Sequence, residues 1–169
     1  MPADLLGRLD LDCLYLPFLT KVLDVLAECR KLGVDYWGIR GYSNWITQAK
    51  LYFQGRTTTG TIVTSAGPGW SAHNYGLALD VCRDKDITRA GLQPNWNTRD
   101  YDLIGECAIA HGLVWGGTWA KPDRPHIQWP GYVTRKQIEP LRDKWATYNP
   151  SLGDLERLKL IWKVIENGS

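Results

Sequence analysis

Apolar residues recur at spacings of three and four along the C-terminal stretch SLGDLERLKLIWKVIENGS. Leu152, Leu155, Leu158, Trp162 and Ile165 draw one stripe and predict an amphipathic helix. Ser151, followed three residues later by Asp154, resembles a capping box at its start. Docking of this stripe on the rest of the chain, to finish its core, is the expectation; a homodimer seam is the alternative. Mixed acidic and basic residues on the opposite face argue against a membrane contact. Pro17 opens another helix through LTKVLDVLAECRKLG, which Gly33 ends. Ser43 or Asn44 caps one through WITQAKLYFQ, closing at Gly55. Thr98 caps one through RDYDLIGECAIAHG, ended by Gly112. Thr134 starts one through QIEPLRDKWATY, where Pro140 is expected to kink or break the middle. VDYWGIR, GLALDV, LVW and HIQW read as strands. Residues 56–70, rich in threonine, glycine and proline, form a loop suited to a cleft rim, and residues 83–97 read as polar and irregular around Trp96.

At 169 residues the chain suits one well-buried domain, assigned to 1–148, with 149–169 as a helical appendage. A formal charge of +2 is too mild to argue for a nucleic-acid partner. Nine tryptophans and eight tyrosines against two phenylalanines favour amphipathic aromatics, which suit both cores and the walls of carbohydrate or peptide clefts. Cys13, Cys29, Cys82 and Cys107 form no CxxC pair and read as buried free thiols. The N-terminus lacks the basic run and apolar core of a secretory signal, and no stretch approaches the roughly 20 apolar residues of a membrane span.

Two segments carry the chemistry. SAHNYGLALD at 71–80 and DRPH at 123–126 supply His73, Asp80 and His126, the two imidazoles and one carboxylate of an open catalytic zinc site, with Asp123 to spare. A histidine and an aspartate seven apart would, alone, read more readily as a structural histidine and a surface aspartate. On a flat strand they would also face opposite ways, so a bend is needed, and Gly76 can provide it. The two strands GLALDV and HIQW are then neighbours if their ligands share a metal. Pro122 and Pro125 exclude a helix through PDRPH; a polyproline-like run would put Asp123 and His126 on one face. His111 reads as structural. Its spacing from Cys107 invites a cysteine-peptidase reading, disfavoured because Cys107 lies mid-helix.

SAHNYGLALD and DRPHIQW resemble the SxHxxGxAxD and carboxylate-x-x-His motifs of the M15 metallopeptidases. YWGIRGYSNWITQAKLYFQGRTTTGTIVTSAGPG resembles the stretch that precedes them in the branch containing the L-alanyl-D-glutamate endopeptidases of phage endolysins. The resemblance spans roughly residues 15–147. It implies a single small α+β domain of the Hedgehog/D-Ala-D-Ala peptidase type, with helices around a small antiparallel sheet that carries zinc on His73, Asp80 and His126. It implies peptidoglycan as the partner and hydrolysis of a bond in its stem peptide, with Asp123 as general base and acid. Arg40 would bind a substrate carboxylate or stabilise the oxyanion, and Gln48 and Ser71 would hydrogen-bond the substrate. Trp115, Trp119 and Trp129 would wall the cleft or pack beneath it. A monomer made in the host cytoplasm and released by a holin fits that branch. The rivals are a D,D-carboxypeptidase or dipeptidase of the same superfamily, a non-catalytic zinc-containing wall-binding domain, and a glycan hydrolase using paired carboxylates.

Overall fold

A computed structural model describes residues 2–86, 88 and 90–168. Helix α1 (Leu16–Lys31) carries Pro17 in its first turn, where no backbone donor is needed, and buries Phe18, Val22, Val25, Leu26 and Cys29 on one face. Strand β1 (Trp37–Arg40) leads to α2 (Trp45–Phe53). Asn44 caps that helix, its side-chain oxygen accepting from the Thr47 amide at 2.8 Å. β2 (Ala78–Asp84) is the central strand, pairing antiparallel with β1 on one side. Ala78, Leu79, Val81 and Cys82 are fully buried along it.

The stretch expected to be irregular contains β3 (Pro94–Asn95), which folds back antiparallel on the outer end of β2, pairing Arg83 with Asn95 and Asp84 with Pro94. Asn97, one residue before the expected cap, accepts from the Arg99 amide and starts a 3-10 turn ahead of α3 (Asp102–Ala110). β4 (Val114–Trp115) and β5 (His126–Gln128) complete a sheet of order β1-β2-β5-β4, with β3 attached to β2. PDRPH is not a polyproline run. The His126 amide donates to the Asp123 carbonyl at 3.2 Å, a tight turn in which Pro125 occupies a position that needs no donor.

α4 (Arg135–Thr147) runs unbroken through Pro140. Thr134 and Gln137 close a full capping box at its start, and Ile138, Leu141 and Trp145 are buried along one face. Pro140 lies on the exposed face, where the carbonyl left without a donor can turn to water. α5 (Asp154–Asn167) begins after Gly153, whose amide donates to Glu156 at 2.9 Å, so Gly153 and Glu156 do the work expected of Ser151 and Asp154. The helix packs against α4 and the N-terminal segment. Leu158, Ile161 and Ile165 join the main core, each worth about 1.5–3 kcal/mol when fully buried. The Trp162 indole donates to the Tyr75 carbonyl at 2.9 Å, tying the last helix to the segment that carries the first histidine.

Candidate active site

Ser71 caps the 3-10 turn Ala72–Tyr75, its hydroxyl accepting from the His73 amide at 3.3 Å. Asn74 is fully buried within that turn: its carbonyl oxygen accepts from the Gly69 and Ser71 amides, and its amide group donates to the Ser43 carbonyl at 2.6 Å. Gly76 then reverses the chain with φ +67°, and a Cβ there would stand 2.1 Å from the Cys13 carbonyl oxygen. Only glycine meets both demands, and this bend lets β2 run back with Asp80 beside His73. His126 enters from β5 directly opposite Asp80 in the antiparallel register.

One oxygen of Asp80 is the meeting point. Asp80 Oδ1 lies 3.2 Å from His73 Nε2 and 3.0 Å from His126 Nδ1, and the three donor atoms all fall within 4.8 Å of one another. The outer nitrogens fix the tautomers. His73 Nδ1 sits 2.7 Å from the Gly41 carbonyl, which can only accept, so that nitrogen carries the hydrogen. His126 Nε2 sits 2.9 Å from the side-chain oxygen of Gln128, whose amide group donates to the Tyr132 carbonyl at 2.9 Å and thereby orients that oxygen. Two imidazole lone pairs and a carboxylate therefore converge in a buried spot, which demands a positive charge between them. Without a metal, a proton meets the demand. Burial lowers the His73 pKa and outweighs the pull of Asp80. Burial acts the same way on His126, but its hydrogen bond to Asp80 prevails and raises its pKa. Burial would raise Asp80, yet His73 and His126 together hold it well below the usual carboxylate range. Two neutral imidazoles with outer hydrogens anchored on protein acceptors, plus one carboxylate, are the donor set zinc takes while keeping a position open.

Arg40 on β1 places Nε 3.2 Å from Asp80 Oδ2, close enough for ion pairing but without hydrogen-bond alignment. Asp123 lies outside the ligand cluster. Its backbone is fixed by donation to the Gly116 carbonyl at 2.9 Å, while its side chain is exposed at the cleft. A Cβ on Gly116 would approach the Asp123 carbonyl oxygen to 2.4 Å, so this contact also requires glycine. Desolvation by the surrounding atoms raises the Asp123 pKa, with Asp80 adding to it and His126 and Arg40 opposing. The cleft has two lobes that share Arg40, Val63, Thr64 and Asp123: an inner one of about 610 Å³ and an outer one of about 300 Å³.

The structure brings His73, Asp80, His126, Arg40, Asp123 and Ser71 to this cleft. Gln48 is placed otherwise. It is fully buried and donates to the Ala66 carbonyl at 2.8 Å, so it holds the rim loop instead of facing a substrate. Of the three tryptophans near the second motif, Trp119 lines the inner lobe with its ring 5.0 Å from His126. Trp115 is buried and donates to the Arg124 carbonyl, and Trp129 packs edge-on against Tyr15. His111 pairs with Glu28 at 2.6 Å and does not line either lobe of the cleft. All four cysteines are free and buried, and burial raises the Cys107 thiol, which removes the cysteine-nucleophile reading. Gln128 went unassigned from sequence, although two residues after His126 on a strand is the same face. Lys121 and Trp70, which also line the inner lobe, carried no motif.

The family model Peptidase_M15_4, described as D-alanyl-D-alanine carboxypeptidase, matches residues 64–129, which hold all three candidate ligands. The peptidoglycan L-alanyl-D-glutamate endopeptidase CwlK of Bacillus subtilis (strain 168) is 36% identical over 119 residues, covering 66% of this chain and 71% of that protein. The vancomycin resistance D,D-pentapeptidase VanY from a VanB-type cassette, solved in complex with Zn(II), aligns over 86% of this chain and 83% of its own with a TM-score of 0.51 at 18% identity, which shows a shared fold. The Serratia marcescens L-Ala D-Glu endopeptidase ChiX aligns over 70% of this chain and 82% of its own with a TM-score of 0.47 at 21% identity.

Proposed function

The chain belongs to the M15 family of zinc metallopeptidases, and on that premise we propose that it is an endopeptidase cutting the L-alanyl-D-glutamate bond in the stem peptide of peptidoglycan. The observation that carries the hydrolytic reading is the pair of histidines whose outer nitrogens are held by Gly41 and Gln128 so that both free lone pairs face Asp80. The choice of bond rests on the relative that is 36% identical.

His73, Asp80 and His126 would hold the zinc, which when bound would supply Lewis acidity to the scissile carbonyl and to the attacking water. Asp123 takes the proton of that water on a carboxylate oxygen and returns it to the leaving amine nitrogen, a role worth typically 10²- to 10⁴-fold. Its raised pKa suits the task, since a more basic carboxylate is a better proton acceptor. Arg40 forms an ion pair with the outer oxygen of Asp80 and lines both lobes of the cleft, where its guanidinium can meet a substrate carboxylate or the developing oxyanion. Ser71 acts first as the cap that sets His73 and borders the inner lobe, within reach of a substrate backbone.

Mass spectrometry of muropeptides released from purified peptidoglycan tests this directly. Fragments that end in L-alanine, with matching peptides that begin at D-glutamate, are expected. Release of free D-alanine with the rest of the stem intact would instead support the D,D-carboxypeptidase reading, which the description of the matching family model favours.

A further inference from the structure

We infer that Trp96 forms a sugar-binding platform in the outer lobe, so that the enzyme prefers stem peptides still attached to their glycan over free peptides. The inference rests on the proposed endopeptidase function.

The outer lobe is bounded by Ile39, Val63, Trp96 and Pro125, next to the row of Arg40, Asp80 and Asp123. Trp96 is 58% exposed, a large apolar side chain turned to water. Among the described residues no aromatic ring or cation stacks on it. Its neighbours in the chain are held firmly. Asn95 accepts from the Tyr101 hydroxyl at 2.7 Å through its carbonyl, and its side-chain amide donates to Asp100 at 2.6 Å. The Asn97 amide donates back to the Asn95 side chain at 3.0 Å. β3 is fastened to β2 on the preceding side, where Asp84 accepts from the Gln93 amide at 3.1 Å. The fold thus anchors both neighbours of an indole that it leaves uncovered, which is how a protein presents a surface to a ligand instead of to its core.

The class of ligand follows from position and chemistry. The stem peptide hangs by its first alanine from a lactyl-bearing sugar of the glycan, so a bond cut after that alanine has a sugar ring close on one side and an acidic residue on the other. The two lobes differ in the matching way. Lys121 adds a second cation beside Arg40 in the inner lobe and suits the glutamyl side. The outer lobe adds the uncovered Trp96 indole with Ile39 and Pro125 beside it, flat and apolar surfaces suited to the C–H face of a pyranose, next to the Thr64 hydroxyl that both lobes share, and its volume of about 300 Å³ is at the lower end of small-ligand sites.

The test compares kcat/KM on two defined substrates, a muramyl-linked L-alanyl-D-glutamyl peptide and the same peptide carrying an acetyl group in place of the sugar. The wild type should prefer the sugar-bearing substrate. Trp96→Ala should shrink that preference on the order of threefold to tenfold, the scale of an aromatic stacking contact, with the loss in KM rather than kcat. Trp96→Tyr should restore most of it, which a merely structural role would not require. Equal rates on both substrates in the wild type, or a preference unchanged in Trp96→Ala, would overturn the inference and leave the peptidase reading standing. Cleavage of neither substrate by the wild type would overturn both.

Discussion

His73 and Asp123 serve the same cleft from two segments that fix different things. Around His73 the side chains themselves are locked: Ser71, Asn74 and the imidazole all hold hydrogen-bond partners, and His73 is 1% exposed. Around Asp123 it is the backbone that is locked, by the Gly116 and Val81 contacts of the turn and by the Trp115 indole on the Arg124 carbonyl, while the carboxylate has no hydrogen-bond partner among the described residues and stays exposed. An ion must be held by atoms that do not move, whereas a proton carrier must reach first one substrate atom and then another. The difference teaches that loss of the His73 imidazole should act through loss of metal and loss of the Asp123 carboxylate through loss of turnover.

The largest expected effect separates them cleanly. His73→Ala should lose both zinc, measured by elemental analysis, and peptidoglycan hydrolysis. Asp123→Asn should keep its zinc while kcat falls by about 10²- to 10⁴-fold with little change in KM. An asparagine variant that loses its zinc as completely as the alanine variant would make Asp123 a ligand and erase the contrast. Next in size is Gln128→Leu. It removes the acceptor of the His126 outer hydrogen, and zinc affinity should drop by roughly 10- to 100-fold in competition with a chelator while the fold persists.

The ligand pattern was legible because a metal site dictates residue type and spacing. His73, Asp80 and His126 could be read from SAHNYGLALD and DRPH; strand period called for a bend between the first two, and the conformational freedom of glycine pointed to Gly76. The supporting shell was less legible. Gly41 contributes only a backbone carbonyl, which no sequence pattern marks, and Gln48 could not be told from a substrate contact until its burial was seen. Local rules also misjudged α4 at Pro140, where the cost of roughly 3 kcal/mol is offset by a full capping box and by burial of Ile138, Leu141 and Trp145. The apolar stripe of α5 omitted Ile161, which lies three residues after Leu158 and four before Ile165 on the same face and is fully buried with them.

The contrast has a pH signature in the metal-free protein. Asp80 is depressed, so its contribution to stability is present above its unfolded pKa and lost as pH falls through the folded one. His126 is raised above the ordinary 6.5, so its contribution is present below that value and lost as pH rises through the folded pKa. His73 is lowered, so its contribution is lost as pH falls below the ordinary 6.5, and melting temperatures of the metal-free protein should therefore peak near that value and decline on both sides of it. Zinc must displace the His126 proton, so affinity should keep rising with pH past 6.5. A zinc affinity independent of pH from 6 to 8, on the order of one unit either side of neutrality, would contradict the proton-for-metal exchange.

The smallest effect tests whether the rigidity of the first segment extends to the end of the chain. The Trp162 indole donates to the carbonyl of Tyr75, and the next residue is the Gly76 bend on which the position of Asp80 depends. Trp162→Phe keeps most of the apolar contact but removes the donor, leaving a carbonyl short of a partner, at a cost of about 1 kcal/mol. Stability measured by urea unfolding should fall by that amount, and the zinc content and the bond cleaved should stay the same. A wider loss, in which zinc affinity falls with stability, would mean that α5 sets the geometry of the ligands as well as covering the core. In that case the firm segment is firm because the last helix holds it, and truncating α5 should act on the metal site before it acts on the fold.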